Sequence, residues 1–298
     1  MHAQVLRLYG PRKLQWDVQP RVELQPGQVR FTTKLSAISV ASELSLIENH
    51  DSNASPRAVG YQTLGCVTEI SEGVPIPPGT RIVTTLGHVS EGVVTYERCV
   101  VVPDDVPDRV ALAAILGEET HKGIRKIMPQ THDRILVAGA GLLGLLTIFN
   151  LTRRGAADVT AIEPDAERRQ LAEQFGVVVV APGELGNQEF DAGFECSASP
   201  DGFVELLSSL RPHGRACVLS DGNWGSLVLP RAFHDRELLV VASSDGEDYR
   251  TYAEWLWQHP EPLLTRVFES SVAPADLVNT FDRLRVLPRP VSVVVDWT

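Results

Sequence analysis

Cysteine, methionine and aromatic residues are all scarce in this 298-residue chain: four, two and 6%. The cysteines are Cys66, Cys99, Cys196 and Cys217, with no Cys-x-x-Cys pair among them. That excludes a disulfide framework and a zinc ribbon, and reads as reduced thiols in a cytoplasmic protein. Basic residues are in deficit, 27 Lys and Arg against 38 Asp and Glu, for a net charge of −11. Such a surface repels phosphate backbones and anionic lipid, so nucleic acid and membrane are not expected partners. One bound nucleotide needs only a local anion site and stays open. The longest apolar run, residues 135–149, falls short of the ~20 residues that span a bilayer and holds three glycines. The first residues carry no apolar h-region, so no signal peptide is expected.

What is present divides the chain. A prior of about 150 residues per domain suggests two domains. The first hundred residues read as strands at 5–8, 29–35 and 95–101, with turns at Pro26-Gly27 and Pro78-Gly79 and a short helix over 41–47. From Glu118 the pattern alternates. Strand candidates at 134–138, 158–162, 177–180, 192–196, 216–219 and 238–242 are separated by helical patterns at 142–152, 165–175 and 202–210. Apolar strands separated by helices predict a parallel sheet covered on both faces, here a doubly wound α/β domain. The tail holds an amphipathic helix over 273–284, with Leu277, Val278, Phe281 and Leu284 on one face, and a strand at 291–295. It has no apolar partner of its own and is expected to return to the first domain. The expected boundaries are 1–118, 119–268 and 269–298.

The most specific motif is Gly139-Ala140-Gly141-Leu142-Leu143-Gly144, which follows an apolar strand and opens an apolar helix. That context turns a G-x-G-x-x-G match into a dinucleotide fingerprint. Gly139 permits the tight turn, Gly141 the approach of a pyrophosphate and Gly144 close helix–strand packing. The helix start at Leu142 and Leu143 offers N–H groups to phosphate. Glu163 ends the next strand, where a carboxylate accepts from the adenosine ribose and repels a 2′-phosphate. NAD is therefore expected over NADP. Arg168 could accept a 2′-phosphate, or with Arg169 could be a solvated helix position pairing with Asp165, Glu167 or Glu173.

The blocks Ser36-Ala37-Ile38-Ser39-Val40-Ala41-Ser42-Glu43-Leu44, Gly60-Tyr61-Gln62, the glycine motif, Phe194-Glu195-Cys196-Ser197 and Ala232-Phe233-His234 resemble the medium-chain dehydrogenase/reductase superfamily. The first and last resemble its branch of 2-hydroxyethyl bacteriochlorophyllide dehydrogenases, although Ala41 and Ser42 replace the usual Gly and Thr. The resemblance covers essentially the whole chain. It implies a Rossmann domain plus a GroES-like β-rich barrel domain completed by the C-terminal segment, with ligands in the cleft between them and a homodimer formed through strand 238–242. It also places Thr120, Cys196, Ser197 and Ser220 near the cofactor.

Zinc members of the superfamily carry Cys, His and Glu where this chain has Ser39, Tyr61 and Gln62. These are poor zinc ligands, and the region of the family's four-cysteine loop offers only Cys99, so no catalytic or structural zinc is expected. Without zinc, the reaction needs another oxyanion donor and another proton source. Tyr61, Ser39 and Ser42 are candidates. Equally, Tyr61 could fill vacated space and the serines could cap the helix near Ala41. His121 is a candidate general acid, and Glu119 could orient it or neutralise Lys122. In the alternative reading, Glu118 and Glu119 are acidic residues at an ordinary helix N-terminus. His234 and Trp224 could face a ligand or merely finish a helix and a loop. The chain thus reads as a zinc-independent NAD(P)(H) oxidoreductase acting on a small alcohol/carbonyl pair. The alternatives are a non-catalytic dinucleotide-binding sensor or assembly protein and, among enzymes, an enoyl reductase.

Overall fold

The computed structural model describes residues 2–51, 53–222 and 225–298. Trp224 lies outside them. The chain opens with β1 (Ala3–Leu8) and β2 (Leu14–Gln19), then β3 (Gln28–Ile38), α1 (Val40–Asn49), β4 (Arg57–Ala58), β5 (Thr63–Ile70), β6 (Arg81–Thr84), β7 (Glu91–Thr95) and β8 (Val100–Val101). β1 lies between β2 and β4, while the eleven-residue β3 is antiparallel to both β5 and β7. The strand expected over 95–101 is broken by a 3-10 turn at Tyr96–Arg98. Its two halves have different partners: β7 pairs with β3 and β8 with β6, so the chain turns a corner there.

The contacts group the residues up to Ile115 with Tyr249–Thr298, and Leu116–Asp248 as a second unit. A short α2 (Asp108–Ala111) precedes α3 (Ala113–Ile127), within which that boundary falls. The second unit then runs β9 (Arg134–Ala138), α4 (Leu142–Arg153), β10 (Asp158–Ile162), α5 (Ala166–Glu173), β11 (Val178–Val180), β12 (Phe190–Glu195), α6 (Pro200–Ser208), β13 (Leu210–Val218), α7 (Arg231–Asp235) and β14 (Leu239–Ala242). Its six strands are all parallel in the order β11-β10-β9-β12-β13-β14, the doubly wound arrangement. Crossover helices cover both faces, so β12 is buried along its whole length, as a strand in such a sheet must be. Phe190, Phe203, Leu206 and Leu210 anchor the core. β13 starts six residues earlier than expected. Pro212 and Gly214 hide it in the sequence, and a register irregularity between Phe190 and Ala192 accommodates it.

The return begins at Tyr249, not at residue 269. α8 (Tyr249–Gln258) belongs with the first unit: Arg250 donates to the Cys99 carbonyl at 3.0 Å and lies over the Tyr96 ring at 4.4 Å. After α9 (Leu263–Val267) and β15 (Ser271–Val272), the expected helix splits into a 3-10 turn at Pro274–Asp276 and α10 (Leu277–Arg283). Leu277 and Phe281 are fully buried against Leu6, Leu8, Ile38 and Ile47, each worth about 1.5–3 kcal/mol of burial. β16 (Val293–Asp296) then pairs antiparallel with β3, completing the sheet β15-β16-β3-β5-β6-β8. No helix among the described residues is long and apolar enough to cross a membrane.

Candidate functional site

In the second unit, the chain leaves β9 into the glycine motif. Gly139 has φ +95, a left-handed conformation that a side chain would strain, and its N–H donates to Ile162 O at 2.8 Å. A Cβ on Gly144 would lie 1.9 Å from the Gly139 carbonyl oxygen, so only glycine permits this closure. Gly141 is the N-cap of α4. The N–H groups of Leu142, Leu143 and Gly144 form the first turn, where a helix has no internal acceptors for them. A Cβ on Gly141 would meet only Arg168 Nη1, at 3.9 Å.

Glu163 follows β10 and is 3% exposed. One carboxylate oxygen accepts the Ala140 N–H at 2.8 Å and the other the Asp165 N–H at 3.0 Å. The residue expected to read a ribose therefore also clamps the glycine loop to the next turn. Arg168 and Arg169 are half-buried, not solvated. Arg169 donates to the Glu163 and Pro164 carbonyls, while the Arg168 guanidinium reaches Gly141.

A second carboxylate, which nothing in the chain's pattern singles out beyond its block, organises the next two loops. Glu195, at the end of β12 and 1% exposed, accepts from Ser197 N at 2.8 Å, Ser197 Oγ at 2.5 Å and Ala198 N at 3.1 Å. Its other oxygen accepts from Ser220 Oγ. Ser197 Cα would stand 2.8 Å from a Cβ on Gly139, so this clamp lies against the glycine loop. Ser197 and Ser220 thus sit together beside it. The Cys196 side chain does not join them: its buried Sγ contacts Thr147 Oγ1 at 3.6 Å behind the loop.

The cluster at 117–122 differs from expectation. α3 begins at Ala113, so Glu118 is in mid-helix and the first turn carries no acid. Glu118 is fully buried and accepts from Arg125 Nη2 at 3.1 Å, Glu247 N at 3.2 Å and Asp248 N at 3.1 Å. His121 Nδ1 lies 3.2 Å from its other oxygen. Burial alone pushes the carboxyl up, but the His121 and Asp248 hydrogen bonds and the Arg125 charge outweigh it and hold the pKa below the ordinary value. Glu118 thus holds the His121 ring, and Glu119 is half-buried beside it. Thr120 is fully buried, its hydroxyl donating to Gly117 O and accepting from Asn150 Nδ2, both at 2.9 Å. That hydroxyl ties α3 to α4. His234 is exposed on α7 beside Asp235.

In the first unit, Ser39 stands at the N-cap of α1 without a side-chain capping bond. Its Oγ instead donates to Ser42 Oγ at 3.2 Å, and its N–H donates to Glu43 Oε1 at 2.8 Å. Glu43 Oε2 lies 3.0 Å from His88 Nε2, and His88 Nδ1 lies 2.8 Å from Ser36 Oγ, which accepts from Trp297 Nε1 at 3.1 Å. All four of Ser36, Ser39, Glu43 and His88 are buried. The backbone bond from Ala37 N to Gln62 O, 2.9 Å, brings Tyr61 and Gln62 to the same end of β3; Tyr61 is half-buried.

This donor set does not fit zinc. The positions hold a hydroxyl, a phenol and a neutral amide, and both ring nitrogens of the nearby His88 are engaged. Among the described residues no three His, Cys, Asp or Glu side chains gather as a metal site. The thiols follow their burial: it pushes Cys99 up to about 12, Cys217 up to about 11 and Cys196 higher still, leaving Cys66 half-exposed. We expect the native protein to give one fast thiol with a disulfide reagent at pH 8, and four after unfolding. More than one fast thiol would show that the core opens readily.

No family model matches the chain. An (R,R)-butanediol dehydrogenase of Bacillus subtilis is 28% identical over 144 residues, 45% of this chain and 39% of that protein. An L-threonine 3-dehydrogenase of Streptomyces coelicolor is 29% identical over 223 residues, 65% of this chain and 60% of its own length. The chain therefore spans between about two fifths and three fifths of these curated relatives. Three solved structures superpose over 99% of it with a TM-score of 0.86. They are a 2R,3R-butanediol dehydrogenase of B. subtilis (19% identity, 99% of that chain), S. aureus TarJ with NADPH (18%, 99%) and an acetophenone reductase of Geotrichum candidum with NAD (18%, 97%). The fold is thus a Rossmann domain plus a GroES-like domain, as in these structures.

Proposed function

We propose that this chain is a zinc-independent, nicotinamide-dependent oxidoreductase that passes a hydride to or from a small alcohol/carbonyl pair. The observation that carries this reading is the glycine loop, whose closure between Gly139 and Gly144 leaves a helix N-terminus open at Gly141. When bound, the nicotinamide supplies the hydride acceptor or donor. The names of the relatives, for butanediol and threonine dehydrogenation, support a small alcohol as partner. The second unit would hold the dinucleotide. Glu163 would offer its remaining lone pairs to the ribose, and Ser197 and Ser220 would be held in place by Glu195. The first unit would supply the groups at the reacting oxygen, Tyr61 as a hydrogen-bond donor and the Ser39–Ser42 pair for the proton; in the second unit His121, held by Glu118, is a further candidate acid. The blocks at Ser36–Leu44 and Ala232–His234 support placement in the zinc-free branch.

Thermal unfolding with NADH and with NADPH tests the cofactor reading. Ligand at about 100 times its Kd adds about 2.7 kcal/mol, and ~2–4 °C per kcal/mol makes this readable. The larger shift is expected with NADH; a larger one with NADPH reassigns Arg168 to a 2′-phosphate, and no shift removes the function. Tyr61→Phe is expected to lower kcat about 10²-fold with little change in melting. Unchanged turnover in both Tyr61→Phe and His121→Ala would remove both assignments. We also propose a homodimer through the sheet-edge strand β14, where Leu239 is 53% exposed; sedimentation as a single 32.6 kDa chain would contradict it.

A further inference from the structure

His88 is fully buried, and its ring meets four separate parts of the first unit. Nδ1 lies 2.8 Å from Ser36 Oγ on β3, and Nε2 lies 3.0 Å from Glu43 Oε2 on α1. The Phe281 ring of α10 packs edge-on at 6.2 Å between centroids. The remaining edge faces Gly60, where a Cβ would lie 2.8 Å from both Cδ2 and Nε2. The backbone fixes the same place: Leu6 N donates to His88 O at 3.0 Å, and His88 N donates to Val59 O at 2.9 Å.

The protons along this chain of contacts have one consistent order. An indole N–H only donates, so Ser36 Oγ accepts from Trp297 Nε1 at 3.1 Å. Among the described residues, the Ser36 O–H then has His88 Nδ1 as its acceptor. Nδ1 is therefore bare, and the ring proton sits on Nε2 and is donated to Glu43 Oε2. The other Glu43 oxygen accepts the Ser39 N–H at 2.8 Å. A half-turn of the ring would put carbon at both places, so its orientation is set at two points.

We propose that His88 is a positioning residue that sets Ser39 and Tyr61 relative to one another. It reaches Ser39 through Glu43. It reaches Tyr61 through the preceding Gly60, which lies against the ring only because it has no side chain. One imidazole thus ties together the two segments that carry the proposed hydrogen-bond donor and proton path. A misplacement of about 1 Å at reacting groups can cost about 10²-fold in rate, so such a tie acts on turnover more than on binding. The assignment rests on the reading of Tyr61 and Ser39 as groups at the reacting oxygen, and the experiment separates the two.

Wild type, Glu43→Gln and His88→Asn are compared as full-length, ¹⁵N-labelled chains. Glu43→Gln keeps the side-chain size and an acceptor for Ser39 N–H, but turns an amide donor toward Nε2. The ring must then carry its proton on Nδ1. Imidazole ¹⁵N resonances are expected to show a protonated Nε2 in wild type and the exchanged tautomer in Glu43→Gln. Backbone amide resonances of Ser39 and Tyr61 are expected to move together in both variants, while those of Gly139 and Gly144 stay. For carbonyl reduction, kcat is expected to fall about 10- to 100-fold with KM for both substrates within about threefold, the pattern of an interaction lost only in the transition state. Unmoved Ser39 and Tyr61 resonances, an unchanged kcat, or a wild-type ring protonated on Nδ1 would overturn the proposal. So would kcat lost together with the NADH-induced melting shift, which marks general unfolding. If His88→Asn does not fold, Glu43→Gln decides by the same readouts. A wild type without turnover, whose Ser39 and Tyr61 resonances still move together in the variants, would defeat the oxidoreductase reading and leave His88 as the tie between the two segments.

Discussion

Gly144→Ala is expected to abolish dinucleotide binding and to lower the melting temperature at once. The added methyl would sit 1.9 Å from the Gly139 carbonyl oxygen and 2.8 Å from its carbon, far inside any real contact. Neither neighbour can yield. Gly139 is held by its N–H bond to Ile162 O, and α4 is fixed by Leu145, Leu146, Ile148 and Phe149, all fully buried. The loop must open, carrying Ala140 away from Glu163. Overpacking of this kind costs about 1–3 kcal/mol or more. The loss of binding is expected to exceed the loss of stability, because the first-turn N–H groups of α4 are displaced from their common focus. Titration of NADH against the variant by fluorescence checks this. A Kd within threefold of wild type, with an unchanged melt, would mean that the loop does not hold the cofactor.

Glu118→Ala is expected to destabilise the protein by about 2–4 kcal/mol. It takes an acceptor from the Glu247 and Asp248 N–H groups and removes one partner each of His121 and Arg125. The loss is smaller than for a fully enclosed ion pair because the Arg125 side chain is 41% exposed and solvent screens its charge. The same carboxylate sets a pH dependence. Its pKa is lowered on folding, so the charged form stabilises the native state fully above the ordinary glutamate value of about 4.3, and that contribution is lost as pH falls through the folded pKa. Melting curves between pH 6 and pH 3 should therefore fall more steeply for wild type than for Glu118→Gln. Parallel curves would show that the carboxylate is already neutral or unlinked to folding.

Where the chain obeys a single period, its sequence announces the structure. The strands at 134–138 and 158–162 and the helix start at Leu142 coincide with β9, β10 and α4, because each is predominantly apolar and bounded by turn residues. Local reading fails where two partners share one stretch, as at Tyr96–Arg98, or where Pro212 and Gly214 interrupt an otherwise paired strand. The glycine loop was legible for the same local reason. The carboxylates that hold the site were not, since their partners are distant: Glu43 meets His88 45 residues away, and Glu195 meets Ser220 25 residues away. Glu118 looks like a helix-start acid in sequence, and only the start of α3 at Ala113 shows it to be internal. Gln62 marks the converse case. Its residue type at a metal-ligand position was legible, but its burial without a partner was not.

Hydride transfer without zinc has a direct test. Carbonyl reduction by NADH is to be measured on protein purified without added metal, before and after dialysis against a strong chelator, with zinc counted per chain by elemental analysis. Substoichiometric zinc, an unchanged rate after chelation and no gain on adding zinc back are expected. One zinc per chain, with a rate that vanishes on chelation and returns with zinc, would contradict it.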